Sequence, residues 1–258
     1  MKAYYEHAGI TIYHGDCQEV LWVAPMFNVK VDHMITDPPY SDYVHAKSRR
    51  GGTDAPPPDG AGKAARASFS RVKSFGFDAM TEALRMNVTE WAREHVHRWS
   101  LVFSDVESSH LWRDDFVDCA GLDYVRTGAW IKLGATPQFT GDRPATGFEA
   151  ITICHRKGRK KWNGGDSHAV WSYPIVLNRG GNDPRLHTTQ KPESLMLQLV
   201  QLFTDAGETI LDPFMGSGTT LAAAKRLGRL AIGIEREEKY CEIAAKRLAQ
   251  EALPLEIA

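Results

Sequence analysis

Thr209-Ile210-Leu211-Asp212-Pro213-Phe214-Met215-Gly216-Ser217-Gly218-Thr219-Thr220 changes structural character twice in a short space. Thr209 to Leu211 are strand formers bounded upstream by Gly207, and Pro213 cannot extend a ladder. Gly216-Ser217-Gly218 is a turn whose backbone is free to take positive φ and to approach another group closely. From Thr219 the composition turns helical until Gly228 stops it. A second strand, Leu230–Ile234, ends at Glu235, and Tyr240, Ile243, Ala244, Arg247 and Leu248 mark one more helix. On the upstream side, Pro192-Glu193 opens a helix with Leu195, Met196, Leu199, Leu202 and Phe203 on one face. Strands alternating with helices predict an α/β fold with a doubly wound, mostly parallel sheet.

Further toward the N-terminus, Ile10–His14 reads as a strand closed by Gly15-Asp16, and Cys17–Phe27 as a short helix cut by Pro25. Val31–Thr36 is a compact apolar strand that stops at Asp37-Pro38-Pro39-Tyr40. Helices are expected over 81–98 and 109–120, with strands over 101–104, 124–132 and 150–155. Residues 41–78, punctuated by Gly51-Gly52 and Pro56-Pro57-Pro58, read as a long mobile loop, and 156–190 again as irregular.

The chain has 258 residues, 43% of them hydrophobic, enough for one full core and hence a single domain over 1–258. Its formal charge of -1 advertises no polyanion partner, so attraction to nucleic acid has to come from local clusters. Cys17, Cys119, Cys154 and Cys241 form no C-x-x-C pair, which argues against a zinc site and for a reducing compartment. No stretch has signal-peptide or membrane-span character, and a cytoplasmic protein is expected. His95 and His97 lack a third ligand nearby and are expected on a helix surface, so no metal is expected.

Strand, glycine turn, helix, strand and acidic residue is the layout of a nucleoside-binding half, with Glu235 placed to accept hydrogen bonds from ribose hydroxyls. The turn has no lysine for a Walker motif, no G-x-S-x-G frame around Ser217 and no third glycine for a dinucleotide fingerprint. A purely structural turn satisfies G-x-G equally well; Asp212 and Glu235 on either side favour a nucleoside.

Asp37-Pro38-Pro39-Tyr40 suits an exocyclic amine, whose lone pair is delocalised into its ring. A carboxylate and a backbone carbonyl accepting its two N–H bonds would draw the nitrogen toward tetrahedral geometry. Asp37 supplies the first and Pro38 the second, while Tyr40 can stack on the ring of an extruded base. As an isolated tetrapeptide the motif could equally be a strand-ending turn.

Taken together the two motifs resemble those of the amino-group DNA methyltransferases that use S-adenosylmethionine: Asp37-Pro38-Pro39-Tyr40 matches D/S/N-P-P-Y/F/W, and Phe214-Met215-Gly216-Ser217-Gly218 matches F-x-G-x-G. The catalytic motif comes first and the cofactor motif last, similar to the β group. Thr189-Gln190-Lys191-Pro192 falls where that group carries an additional cofactor contact. The resemblance implies a Rossmann-like methyltransferase fold in circularly permuted motif order. It implies S-adenosylmethionine as cofactor, held by Asp16, Asp37, Thr189, Lys191, Asp212, Phe214, Gly216, Gly218, Thr219 and Glu235. In detail, Asp16 would lie near the adenine, Glu235 at the ribose, Phe214, Gly216 and Gly218 along the methionine and ribose portions, and Lys191 and Thr189 at the methionine carboxylate. The catalytic residues would be Asp37, Pro38, Pro39 and Tyr40, and the partner double-stranded DNA. Relatives in the group often dimerise, so a homodimer is also expected.

Asp in the first motif position is more usual for adenine enzymes, so the expected reaction is direct methyl transfer to the N6 amine of adenine, with N4 of cytosine as the alternative. An RNA or protein methyltransferase and a non-catalytic nucleic-acid-binding module are further alternatives. Residues 155–191 hold eight basic residues against two acidic. By position, 156–190 resembles a small target-recognition insert, with Lys160 and Lys161 expected on the DNA phosphates.

Overall fold

The computed structural model describes residues 1–23, 25–40, 79–135, 144–176 and 190–250. Along the chain come β1 (Tyr5–His7), β2 (Ile10–His14), α1 (Cys17–Val20), β3 (His33–Thr36), α2 (Glu82–His95), β4 (Trp99–Ser104), α3 (Ser109–Asp114), β5 (Asp123–Leu133), β6 (Phe148–His155), β7 (Val170–Pro174), α4 (Glu193–Phe203), β8 (Thr209–Asp212), α5 (Thr219–Arg226), β9 (Leu230–Glu235) and α6 (Glu238–Ala249). The expected loop over 41–78 lies outside the described residues.

The strands form one sheet in the order β1-β2-β9-β8-β3-β4-β6-β5-β7. From β2 to β4 every pairing is parallel, and only β1 and β6 run against the rest. The chain steps outward in one direction from β3 to β4 and in the other from β8 to β9, so the sheet reverses its winding between β3 and β8. A crevice opens beyond the carboxyl ends of strands at such a point.

Neighbouring residues on the inner strands enter different cores, which is why these strands read as unbroken apolar runs. Ile35, Leu101, Phe103 and Ile210 pack with α4, α5 and α6, through Leu199, Leu221 and Ala244 among others. Met34, Val102 and Leu211 face the other way, onto Trp91 of α2 and Trp112 of α3. Two such layers of helix hold the sheet between them, and each fully buried Ile or Leu contributes about 1.5–3 kcal/mol.

Several elements differ from the sequence expectation. The helix begun at Ser109 loosens into a π turn over Asp115–Cys119, and Cys17–Phe27 resolves into α1 and a separate 3-10 turn at Met26–Asn28. β7 lies inside the stretch expected to be irregular. It pairs in parallel with β5, Trp130 opposite Trp171, and its short alternating pattern is the weak signal of a half-covered edge strand. His95 is buried rather than on the surface: its ring stacks on Trp91 with centroids 4.3 Å apart, and Nδ1 lies 2.8 Å from the Trp91 carbonyl.

Candidate active site

The crevice between β3 and β8 contains a cavity of about 220 Å³. Asp37 leaves the end of β3, Asp212 ends β8, Glu235 ends β9, and Gly15-Asp16 follows β2, so four neighbouring strands deliver their last residues to one place.

The wall from β8 and β9 is organised by backbone. Gly216 and Gly218 have φ of 52° and 77°, in the left-handed region that a side chain disfavours. The Glu235 carboxylate accepts from the Gly216 N–H at 3.0 Å and from the Glu237 N–H at 2.7 Å. Burial holds its carboxyl above the ordinary value, with the two amides pulling the other way. Gly218 does not line the cavity. It caps α5, and a Cβ there would stand 2.9 Å from the Ala244 Cβ, so its smallness serves the α5–α6 contact. Thr219 does line the cavity and is pinned from behind by Arg247, Nη1 to Oγ1 at 3.2 Å.

Asp212 is buried and joins the two halves. Its Oδ1 accepts from the Thr36 hydroxyl at 2.6 Å and from the Phe214 N–H at 3.1 Å. Burial pushes its carboxyl up to about 6 against the pull of these donors. Asp16 is the N-cap of α1, accepting from the Gln18 N–H at 2.9 Å, and shares the cavity wall with Cys17. Burial raises the Cys17 thiol to about 12, which suits packing and not nucleophilic chemistry.

The wall from β3 is organised by charge. Pro38 is buried, Asp37, Pro39 and Tyr40 are partly so, and all four line the cavity. The Tyr40 carbonyl accepts from the Met80 N–H at 2.9 Å, which ties down the end of the turn. Lys191 Nζ donates to Asp37 Oδ2 at 2.5 Å and lies 3.1 Å from Glu149 Oε2. Lys132 holds the other Glu149 oxygen at 2.6 Å. Asp37 Oδ1 is buried and has no hydrogen-bond partner among the described residues. Burial raises the Asp37 carboxyl to about 6, with Lys191 opposing the rise and Glu149 adding to it. Lys191 is held above the usual lysine range by the two carboxylates despite its burial, and Glu149 is held low by the two lysines despite its own.

The expected residues therefore meet, with three qualifications. Gly218 stands behind the wall. Thr189 lies outside the described residues. Lys191, expected at a methionine carboxylate, lines the cavity with its ammonium bound to Asp37 and Glu149. Glu149, Lys132 and Thr36 were not expected at all. For Glu149 a signal existed: a single carboxylate at the head of the apolar run Ala150–Cys154, where a strand buried on both faces requires a partner for any charge.

The basic stretch after β6 is elsewhere. β6 is antiparallel to β4, so Ala150 lies beside Ser104 at the crevice end and His155 beside Trp99 at the opposite end of the sheet. Lys160 pairs with Asp123 at 2.7 Å and Lys161 with Asp205 at 2.5 Å. Both belong to the sheet end facing away from the cavity. Among the described residues of the stretch 156–190, Gln190 is the one that lines the cavity.

This lining fits S-adenosylmethionine: Glu235 offers a carboxylate on which paired ribose hydroxyls would find an acceptor, and Gly216 presents bare backbone to the same cavity. A DNA methylase family model, covering both N6 and N4 enzymes, matches residues 31–246. The type II methyltransferase M.HinfI of Haemophilus influenzae is 28% identical, over 93% of this chain and 68% of its own. The type II methyltransferase M2.DpnII of Streptococcus pneumoniae is 29% identical, over 97% of this chain and 93% of its own. The crystal structure of the M1.HpyAVI–SAM complex superposes with a TM-score of 0.67 at 24% identity, covering 93% of this chain and all of that one, and shows the shared fold. A match that runs from β3 into α6, through both walls of the cavity, makes this chain a member of the S-adenosylmethionine-dependent amino-group DNA methyltransferases.

Proposed function

We propose that the chain methylates the N6 amine of adenine in DNA, with the base turned out of the helix into the crevice. The observation that carries this reading is Asp37 itself. One carboxylate oxygen is committed to Lys191, and the other is buried on the wall of the cofactor cavity without a partner among the described residues. An orphaned buried acceptor is costly unless a donor arrives, and an exocyclic amine is such a donor.

Asp37 Oδ1 and the Pro38 carbonyl accept the two N–H bonds, and Tyr40 stacks on the base. When bound, S-adenosylmethionine would supply the methyl group, its C–S bond breaking as the C–N bond forms, with S-adenosylhomocysteine as the leaving group and one proton lost from the amine. Asp37, raised to about 6, is ionised at neutral pH and basic enough to take that proton at Oδ1. Glu235 orients the ribose, and Asp212 with Thr36 fixes the two walls against each other. Asp in the first motif position supports adenine over cytosine. Cytosine N4 is the second reading, because the matching family model embraces both bases and the same two acceptors serve either amine.

The test is to supply isotope-labelled S-adenosylmethionine and mixed genomic DNA, then identify labelled nucleosides by mass spectrometry. N6-methyladenine is expected. N4-methylcytosine would keep the mechanism and change the base, and an absence of label in either would overturn the DNA reading.

A further inference from the structure

Four side chains from four parts of the chain form a line of alternating charge: Lys132 on β5, Glu149 on β6, Lys191 ahead of α4, and Asp37 after β3. Successive contacts measure 2.6, 3.1 and 2.5 Å. The two middle members are the most buried, with side-chain exposures of 8% for Glu149 and 6% for Lys191. Lys191 cannot swing away, since its ammonium lies 5.1 to 5.7 Å from the ring centres of Phe103, Tyr40 and Trp130. It also donates to the Tyr40 hydroxyl at 3.3 Å. Glu149 thus has one lysine more than it needs for neutrality, and Lys191 one carboxylate more.

We propose that Glu149 is a positioning residue for Asp37, acting through Lys191: by holding part of the Lys191 ammonium, it prevents Asp37 from being quenched in an exclusive ion pair and keeps one carboxylate oxygen available to the substrate amine. The inference rests on the amine-gripping role of Asp37 stated above. A buried carboxylate in sole possession of a lysine is a poor hydrogen-bond acceptor toward anything else, because its charge is already compensated. A second carboxylate on the same lysine weakens that compensation without unpairing either partner. The other charged groups near this line are Asp212, across the crevice, and Asp105, beyond Tyr40. Both are carboxyl groups, so neither substitutes for the ammonium of Lys132 or Lys191.

The test is a titration of the Asp37 carboxyl carbon by NMR in the wild type, Glu149→Gln and Lys132→Met, with single-turnover methyl transfer followed across pH. In Glu149→Gln, Asp37 keeps Lys191 to itself and loses a like charge, so it should titrate at lower pH. In Lys132→Met, Glu149 leans wholly on Lys191 and a positive charge is lost, so Asp37 should titrate at higher pH. The plateau rate of Glu149→Gln should fall about ten- to hundredfold, the worth of one charge-assisted contact, its acid limb should move to lower pH, and the KM for S-adenosylmethionine should hold. Glu149→Asp should restore part of the rate. A structural role would lower the plateau and the melting temperature but leave the acid limb and the Asp37 titration in place, and that result overturns the proposal. Opposite shifts in the two variants without methylation of DNA by the wild type would sink the DNA reading and leave the control of Asp37 by Glu149 standing.

Discussion

The two walls of the crevice solve the same problem, holding a polar ligand in a buried place, by different means. On the β8–β9 side the holding groups are main-chain amides and a carboxylate that reads them, Glu235 on Gly216 and Glu237, all within one strand–turn–helix–strand unit. On the β3 side they are side-chain charges gathered from Asp37, Lys132, Glu149 and Lys191. The first wall is local, built from backbone groups near one another in sequence. The second depends on every member of a buried ion chain, where loss of one partner strands another.

The sharpest way to separate the walls is Asp37→Ala. Turnover should fall by about 10²- to 10⁴-fold, the scale of a lost proton acceptor that also grips the amine, while calorimetric affinity for S-adenosylmethionine stays within a few fold. Undiminished transfer would remove Asp37 from the chemistry. The wild-type rate should itself drop as pH falls through about 6, where Asp37 takes up its proton. Glu235→Gln should do the reverse, weakening cofactor affinity about ten- to hundredfold through the loss of a charged acceptor with little change in the rate at saturation. Equal effects on rate and affinity would mean that the walls do not divide the work this way.

A smaller effect should come from Gly218→Ala. A Cβ at positive φ and 2.9 Å from Ala244 should cost about 1–3 kcal/mol in chemical denaturation, with cofactor affinity nearly intact because Gly218 does not line the cavity. The smallest effect belongs to Lys160→Ala combined with Lys161→Ala. Their partners are surface aspartates at the far end of the sheet, so the midpoint of chemical denaturation should hardly move, and the salt dependence of DNA affinity should keep its slope. A flattened slope would bring that end of the molecule onto the DNA.

The difference between the walls also explains how much of the molecule is legible in the sequence. Phe214 to Glu235 can be read because its chemistry is written in neighbouring residues and in glycines whose backbone freedom shows in their identity. The strands β3, β4 and β8 can be read because burial on both faces leaves short compact runs between turn residues. The motif around Lys191 places it in the cavity but does not name its partners: Glu149 and Lys132 come from an antiparallel pair, and no local pattern announces which lysine meets which carboxylate. The charge cluster after β6 cannot be placed from sequence for a related reason. Positive charge in a sequence has no direction, and only the antiparallel course of β6 carries Lys160 and Lys161 away from the crevice. The edge strand β7 escapes a sequence reading because it is covered on one side only.

The hydrogen bond from Thr36 to Asp212 joins adjacent strands at the floor of the crevice. Since β3 and β8 are bonded neighbours, the turns that begin at Asp37 and at Pro213 leave the sheet from adjacent strands, about 4.8 Å apart. Two freely diffusing molecules that must meet in one orientation lose much of their translational and rotational entropy, and intramolecular systems show that this can amount to about 7–11 kcal/mol of a barrier. On the function proposed above, the meeting point would be fixed when the chain folds, before either molecule arrives.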